Sequence, residues 1–232
     1  MAGETIKTEA ICLGISPWSR TSHVTSWLTP GGRIVTVVRG AVRPKSAFLG
    51  QYDLNYTCEI VYYARARGEL HALRECSPSD RRDYLREDYR ALVLAEHCRH
   101  LAARFVPDGP EAAGWYDLLT GTLDSLRGAS AAERLLPTLL EFEKRALQLA
   151  GVWPEIPPEG GELRLVGDRG IPLAAATAAC LRDLPNVTDA KILLDAARVI
   201  SVLYATSLES VSESRRSVLR LIGKSEEGKA SK

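Results

Sequence analysis

Gly31-Gly-Arg-Ile-Val-Thr-Val-Val-Arg-Gly-Ala-Val-Arg-Pro-Lys-Ser46 is the stretch from which the fold can be read. A Gly-Gly turn leads into Ile34, Val35, Val37 and Val38, a β-branched run that suits one strand. Gly40 and Pro44 are poor strand residues, so Val42–Ser46 is predicted to be an exposed loop. Arg33, Arg39, Arg43 and Lys45 ride on this segment, and with Arg20 they share a window between Glu9 and Asp53 that contains no carboxylate. Nothing nearby in sequence neutralises them, so the loop carries a positive field suited to phosphates. The plainer reading is a solvated strand edge protected by its charges.

Outward from that strand, the first third of the chain alternates strand and turn. Ala10–Ile15, Val24–Leu28, Arg33–Arg39, Tyr56–Tyr63 and Glu69–Arg74 are predicted strands, separated by Pro17/Ser19, Pro30-Gly-Gly32, Pro44/Gly50 and Arg65-Ala-Arg-Gly68. Five short strands in so few residues suit a small closed barrel of the OB-fold size, with an SH3-like barrel as the alternative. Trp18 and Trp27 fall in the same window, Trp27 predicted in the barrel core and Trp18 on its surface.

At Ser77-Pro-Ser-Asp80 a Ser/Pro/Asp cluster reads as a helix start, and helical periodicity follows to about Phe105. Further helices are predicted over 111–126 and 131–150, the latter with Leu135, Leu136, Leu139, Leu140, Phe142 and Leu147 opposed to Glu141, Glu143, Lys144 and Arg145. Residues 152–187, with Pro154, Pro157, Pro158 and Gly160-Gly161, form an irregular insertion containing a small hairpin and a short helix. Helix returns over 188–208 and 213–221, and 224–232 is a polar, disordered tail. The predicted class is therefore α+β: a five-stranded OB-fold barrel over 1–79, then a helical domain over 80–223 with its insertion at 152–187.

The formal net charge of the 232 residues is +1, but it is unevenly placed. Residues 1–79 hold nine Lys/Arg against six Asp/Glu, and the remainder 21 against 23. The cysteines at 12, 58, 76, 98 and 180 have neither disulfide-framework nor zinc spacing, and read as reduced thiols. With no apolar signal core and no membrane-length apolar run, the expected location is the cytoplasm. His97 and His100 offer at most two ligands on one helix face, so their predicted role is structural. Gly223-Lys224-Ser225 imitates the end of a phosphate loop, but Val218 stands where the first Gly belongs. Gly167-Asp-Arg-Gly170 reads as a hairpin turn, and nothing nominates a catalyst.

Pro17-Trp-Ser-Arg-Thr-Ser-His23, Leu28-Thr-Pro-Gly-Gly-Arg-Ile34 and Val38-Arg-Gly-Ala-Val-Arg-Pro-Lys-Ser46, in this order, resemble the N-terminal domain of the bacterial DNA repair and recombination family RecO. Ser212-Glu-Ser-Arg-Arg-Ser217 is similar to a later segment of that family. The resemblance implies a protein without enzymatic turnover that binds single- and double-stranded DNA and anneals complementary strands. It further implies RecR and the C-terminal tail of single-strand-binding protein as partners, RecA indirectly, a nucleoid-associated location and no membrane. Carried over by position, the DNA-binding cations are Arg33, Arg39, Arg43 and Lys45, joined by Arg20 where the family has Glu. Arg215, Arg216 and Arg220 are the cations expected to meet a partner tail. Many members carry four cysteines in the insertion as a zinc site, whereas 152–187 has only Cys180, so no metal or other cofactor is expected. The rival reading is a protein adaptor whose barrel binds a partner and whose cations serve solubility.

Overall fold

In the computed structural model, the described residues are 3–65, 70–109, 111–128, 134–164, 170–184, 187–207 and 213–227. Five strands come first: β1 Glu4–Ser19, β2 Ser22–Thr29, β3 Gly32–Val38, β4 Thr57–Ala64 and β5 Leu70–Asp80. A short 3-10 turn, Asp83–Arg86, leads to α1 Tyr89–Phe105, α2 Ala112–Ser125 and α3 Leu135–Leu149. The hairpin β6 Gly161–Arg164 and β7 Gly170–Leu173 precedes α4 Ala175–Arg182, α5 Ala190–Ser207 and α6 Glu213–Glu227. The chain forms two compact units: Met1–Tyr84 with Arg99–Leu123, and Leu85–Cys98 with Asp124–Lys232. This division does not follow the chain-order boundary at residue 79 that the sequence suggests, because part of α1 and nearly all of α2 belong with the strands.

In the first unit the strands are ordered β1-β2-β3-β5-β4 and the sheet closes through β1 and β4. All pairings are antiparallel except β3 with β5, where Val35, Thr36 and Val37 face Leu70, His71 and Ala72 in parallel. β1 is far longer than its predicted Ala10–Ile15 core, because one strand serves two neighbours. Glu4–Ile11 pair with β4, and Ile11–Ser19 pair with β2. The polar alternation at Lys7, Thr8 and Glu9 conceals this from a hydrophobicity reading, since one face of that half-strand is exposed.

Trp27 is completely buried, as predicted, and its Nε1–H donates to Thr36 Oγ1 at 2.9 Å. Around it pack Cys12, Val38, Ala41, Tyr56, Cys58, Ile60 and Leu73. The β2–β3 turn depends on Gly32, whose φ of +127° is open only to glycine, and on Thr29, whose Oγ1 donates to the Gly32 carbonyl at 2.8 Å. In the same unit Arg99 of α1, nearly buried, donates to the Leu13 carbonyl, and the Tyr116 hydroxyl of α2 donates to Glu9 Oε2 at 2.8 Å. Burial, then the neighbouring Glu9, pushes the Tyr116 phenol well above its usual range.

Ser77-Pro-Ser-Asp80 is not a helix start. It is the end of β5, with Glu59 opposite Ser77, Cys58 opposite Pro78 and Thr57 opposite Asp80. Pro78 is tolerated because the ladder shifts register between Thr57 and Cys58, where a missing N–H breaks no regular pairing. The helix begins instead at Tyr89, where Asp88 Oδ1 accepts from the Arg90 backbone N–H at 2.9 Å. α6 reaches Glu227, past Lys224 where a disordered tail is predicted to begin, and residues 228–232 lie outside the described ones.

In the second unit the insertion contains the predicted hairpin and short helix, and Leu163 is completely buried. Leu165 and most of the 167–170 turn fall outside the described residues. Its proline-rich entry is held by Arg182, whose Nη1 and Nη2 donate to the carbonyls of Pro157 and Pro158, both at 2.9 Å. Lys144 Nζ in turn donates to the Arg182 carbonyl at 2.8 Å, tying the insertion to α3.

The polar face predicted for α3 is wrong at one position. Glu143 is completely buried and receives Arg215 of α6 bidentately, Nε to Oε1 at 2.7 Å and Nη2 to Oε2 at 2.8 Å. His97 Nε2, also buried, lies 3.1 Å from Glu143 Oε1, which gives that histidine the structural role predicted for it. Among the described residues, no group of three or more His, Cys, Asp or Glu side chains is placed to hold a metal ion, and no helix is long and apolar enough to cross a membrane.

Candidate nucleic-acid interface

The basic loop is shaped by its backbone before any side chain acts. Gly40, at φ +66°, turns the chain out of β3, and a Cβ there would press on the Arg43 Cδ at 3.2 Å. The Gly40 N–H donates to Ser22 Oγ at 3.2 Å and the Val42 N–H to the Thr21 carbonyl at 3.3 Å, so the loop is stitched to the β1–β2 turn. Ala41 between them is 3% exposed and belongs to the barrel core. A buried residue flanked by two exposed arginines, Arg39 and Arg43, fixes both guanidinium stems on one loop. The following turn closes through the Ser46 N–H and the Arg43 carbonyl at 2.9 Å and presents Lys45 to solvent.

Beside this loop lies a groove of about 610 Å³, lined among others by Trp18, Ser22, Val37, Arg39, Arg43 and Arg65. Arg20 sits in the β1–β2 turn between two lining residues, Ser19 and Thr21. Thus Arg20, Arg39 and Arg43 come together at one end of the sheet, and Lys45 follows two residues after Arg43 in the same loop. Arg33 does not join them: it opens β3 at the opposite end, six residues or about 20 Å along the strand from Arg39. Its Nη1 donates to the Ala103 carbonyl of α1 at 3.4 Å.

Arg65 is the cation that sequence reasoning missed. It closes β4 and meets the loop because β5 runs parallel to β3, bringing Leu70 alongside Val35. The Arg65-Ala-Arg-Gly68 sequence was the available signal, but Arg65 lies beside residue 40 only through that long-range parallel pairing; residues 66–69 lie outside the described ones. Among the described residues no carboxylate pairs with Arg20, Arg39, Arg43, Lys45 or Arg65. The neighbourhood registers the charge: burial, and then the Arg65 guanidinium, lower the pKa of His71 on β5.

The cations expected to meet a partner tail are divided. Arg215 is 5% exposed and committed to Glu143, to Ser201 Oγ and to the Ala197 carbonyl at 3.2 Å, so it is not available to an incoming carboxylate. That expectation is corrected for Arg215: α6 turns this arginine inward because its helical neighbours Val218 and Ile222 are buried on the same side. Arg216 and Arg220 are exposed on the same helix.

A small closed sheet with a cationic, tryptophan-edged groove, joined in one chain to a helical unit, defines an α+β protein built around a candidate polyanion-binding module. Comparison with known proteins gives the family. The family model described as "Recombination protein O C terminal" matches residues 86–156, the segment that holds α1–α3. The "DNA repair protein RecO" of Roseiflexus sp. (strain RS-1) is 30% identical over 156 residues, 67% of this chain and 53% of that protein. The "DNA repair protein RecO" of Leptospira biflexa serovar Patoc is 25% identical over 122 residues, 53% of this chain and 48% of that protein. The matched region thus spans about half the length of these curated relatives. Together the matches support the RecO family, as the sequence motifs suggest.

Proposed function

We propose that this protein serves DNA repair and recombination by binding, without enzymatic turnover, and that the cationic end of its β-unit is the nucleic-acid contact. The single observation that carries this reading is the groove lined by Arg39, Arg43 and Arg65, whose charges no carboxylate quenches among the described residues. The strand order β1-β2-β3-β5-β4, closed through β1, with its parallel β3–β5 contact, supports an OB-fold for the strands of residues 1–79. Phosphate contacts carry no base information, which fits a protein acting on single- and double-stranded DNA wherever a gap occurs. Shielding two strands on one positive surface would promote their annealing. The names of the relatives favour a DNA-repair setting; RecR as co-mediator, RecA as the indirect beneficiary and a cytoplasmic, nucleoid-associated location are proposed on the sequence resemblance alone.

For the helical unit, Arg216 and Arg220 are the remaining cations proposed to receive the acidic C-terminal tail of single-strand-binding protein. A pull-down with that tail peptide is expected to succeed and to fail when its last residue is removed. Equal capture of both peptides would contradict this contact.

Titration of a labelled single-stranded oligonucleotide tests the main reading. Neutralising about four phosphates predicts that log K falls with log[salt] at a slope of about −3. Absence of binding at low salt would leave the adaptor reading in its place.

A further inference from the structure

We propose that the groove seats an unpaired base on Trp18, with Arg39, Arg43 and Arg65 holding the flanking phosphates, so that Trp18 strengthens the hold on a single strand and adds nothing to that on a duplex. This rests on the nucleic-acid reading above and adds the ligand's form and the residue that selects it. Trp18 is 62% exposed, whereas Trp27 of the sheet and Trp115 of α2 are buried, at 0% and 2%.

Its position explains the exposure. In the β1–β2 ladder Pro17 faces His23 and Ser19 faces Ser22, so Trp18 is the extra residue at a register shift, without a partner on β2. A bulge re-aims its side chain out of the alternating pattern, and here the ring lines the groove together with Arg39, Arg43 and Arg65. The two hydroxyls beside it are occupied within the loop framework: Ser19 Oγ accepts from the Thr21 N–H at 3.4 Å and Ser22 Oγ from the Gly40 N–H. Besides Thr21, the remaining side chains are one aromatic face, the aliphatic Val37 and Leu70, and three guanidinium groups.

That combination is complementary to a nucleotide: a flat apolar ring joined to an anion. The volume lies within the usual range of small-molecule sites, about 300–1,000 Å³. In a duplex both base faces are covered by neighbours in the stack, so Trp18 finds a partner only where a strand is unpaired. Stacking tolerates any base, which preserves the lack of sequence preference.

The full chain is titrated with oligothymidylate and, separately, with a blunt duplex, following intrinsic tryptophan fluorescence and the anisotropy of labelled DNA. Wild-type fluorescence is expected to be quenched by the single strand and not by the duplex. W18A is expected to lose the quench and to bind the single strand about 5- to 150-fold more weakly, with the salt slope and duplex affinity unchanged. W18F, which keeps an aromatic face, is expected to recover most of the affinity. Unchanged single-strand affinity in W18A, or equal losses for single strand and duplex, would overturn the proposal. If the wild type binds the single strand with a slope near −3 but without a Trp18-dependent change, this inference alone fails; if it binds no DNA at all, the functional reading fails and takes the inference with it.

Discussion

E143Q is expected to lower the unfolding free energy by about 3–5 kcal/mol, because it leaves the Arg215 guanidinium buried without its counter-charge. The two side chains meet at 2.7 and 2.8 Å, and both are buried. Arg215 also donates to Ser201 Oγ and the Ala197 carbonyl, and the Tyr204 ring lies 5.8 Å from its central carbon. Glutamine preserves the shape of the site and removes only the charge, so the loss is electrostatic and does not come from packing. Replacing both partners, as E143L with R215M, is expected to restore much of the stability, since an apolar pair needs no compensation. Chemical denaturation of the wild type and the two variants is the measurement, and a midpoint for E143Q equal to that of the wild type would contradict the account.

The same carboxylate sets a pH dependence. Burial pushes the Glu143 pKa up, but the Arg215 charge and the hydrogen bonds from His97 and Arg215 outweigh it and hold the pKa below the usual 4.5. A folded pKa below the unfolded one contributes stability that is fully present above about pH 4.5 and is lost as pH falls through the folded value. The wild type is therefore expected to lose stability on acidification below that pH, and E143Q to lack this component of the loss.

R39A/R43A/R65A is expected to bind single-stranded DNA about a hundredfold more weakly than the wild type at 0.1 M salt. Three phosphate contacts on a single strand account for about 2 in the slope of log K against log[salt], hence two decades of affinity one decade below the molar reference. The curves of the two proteins are accordingly expected to converge near 1 M salt. R33A is the control, because Arg33 lies at the far end of β3 and donates to the Ala103 carbonyl. A loss in R33A as large as that in the triple variant would remove the groove from the binding surface.

Much of the β-unit was legible in the sequence because β-branched runs and Gly/Pro punctuation are local signals. Trp27 could be read as core for the same reason. The full length of β1 was not legible, since its first half alternates exposed Thr5, Lys7 and Glu9 with partly buried Ile6 and Thr8 on a strand that has water on one side. Pro78 was misread because a register shift that excuses a proline inside a strand is fixed by the partner β4. In the helical unit Glu143 carried a signal that went unused: it lies four residues after Leu139 and four before Leu147, within the buried stripe of α3. A carboxylate at that spacing demands a buried cation, though the sequence alone does not say which. For the site, the cations of residues 39–45 were visible as a run, whereas Arg65 joins them only through the parallel pairing of β3 with β5, and Arg33 leaves them by the length of a strand.

The central claim is that nucleic acid sits against the β1–β2 turn and the loop after β3. Amide hydrogen exchange of the intact protein, with and without saturating single-stranded oligonucleotide, tests it most directly. The account predicts slowed exchange within residues 18–22 and 37–46, including the Gly40 and Val42 amides that already bond to Ser22 and Thr21. Protection confined to the helical segments, with those two stretches unchanged under saturating DNA, would contradict it.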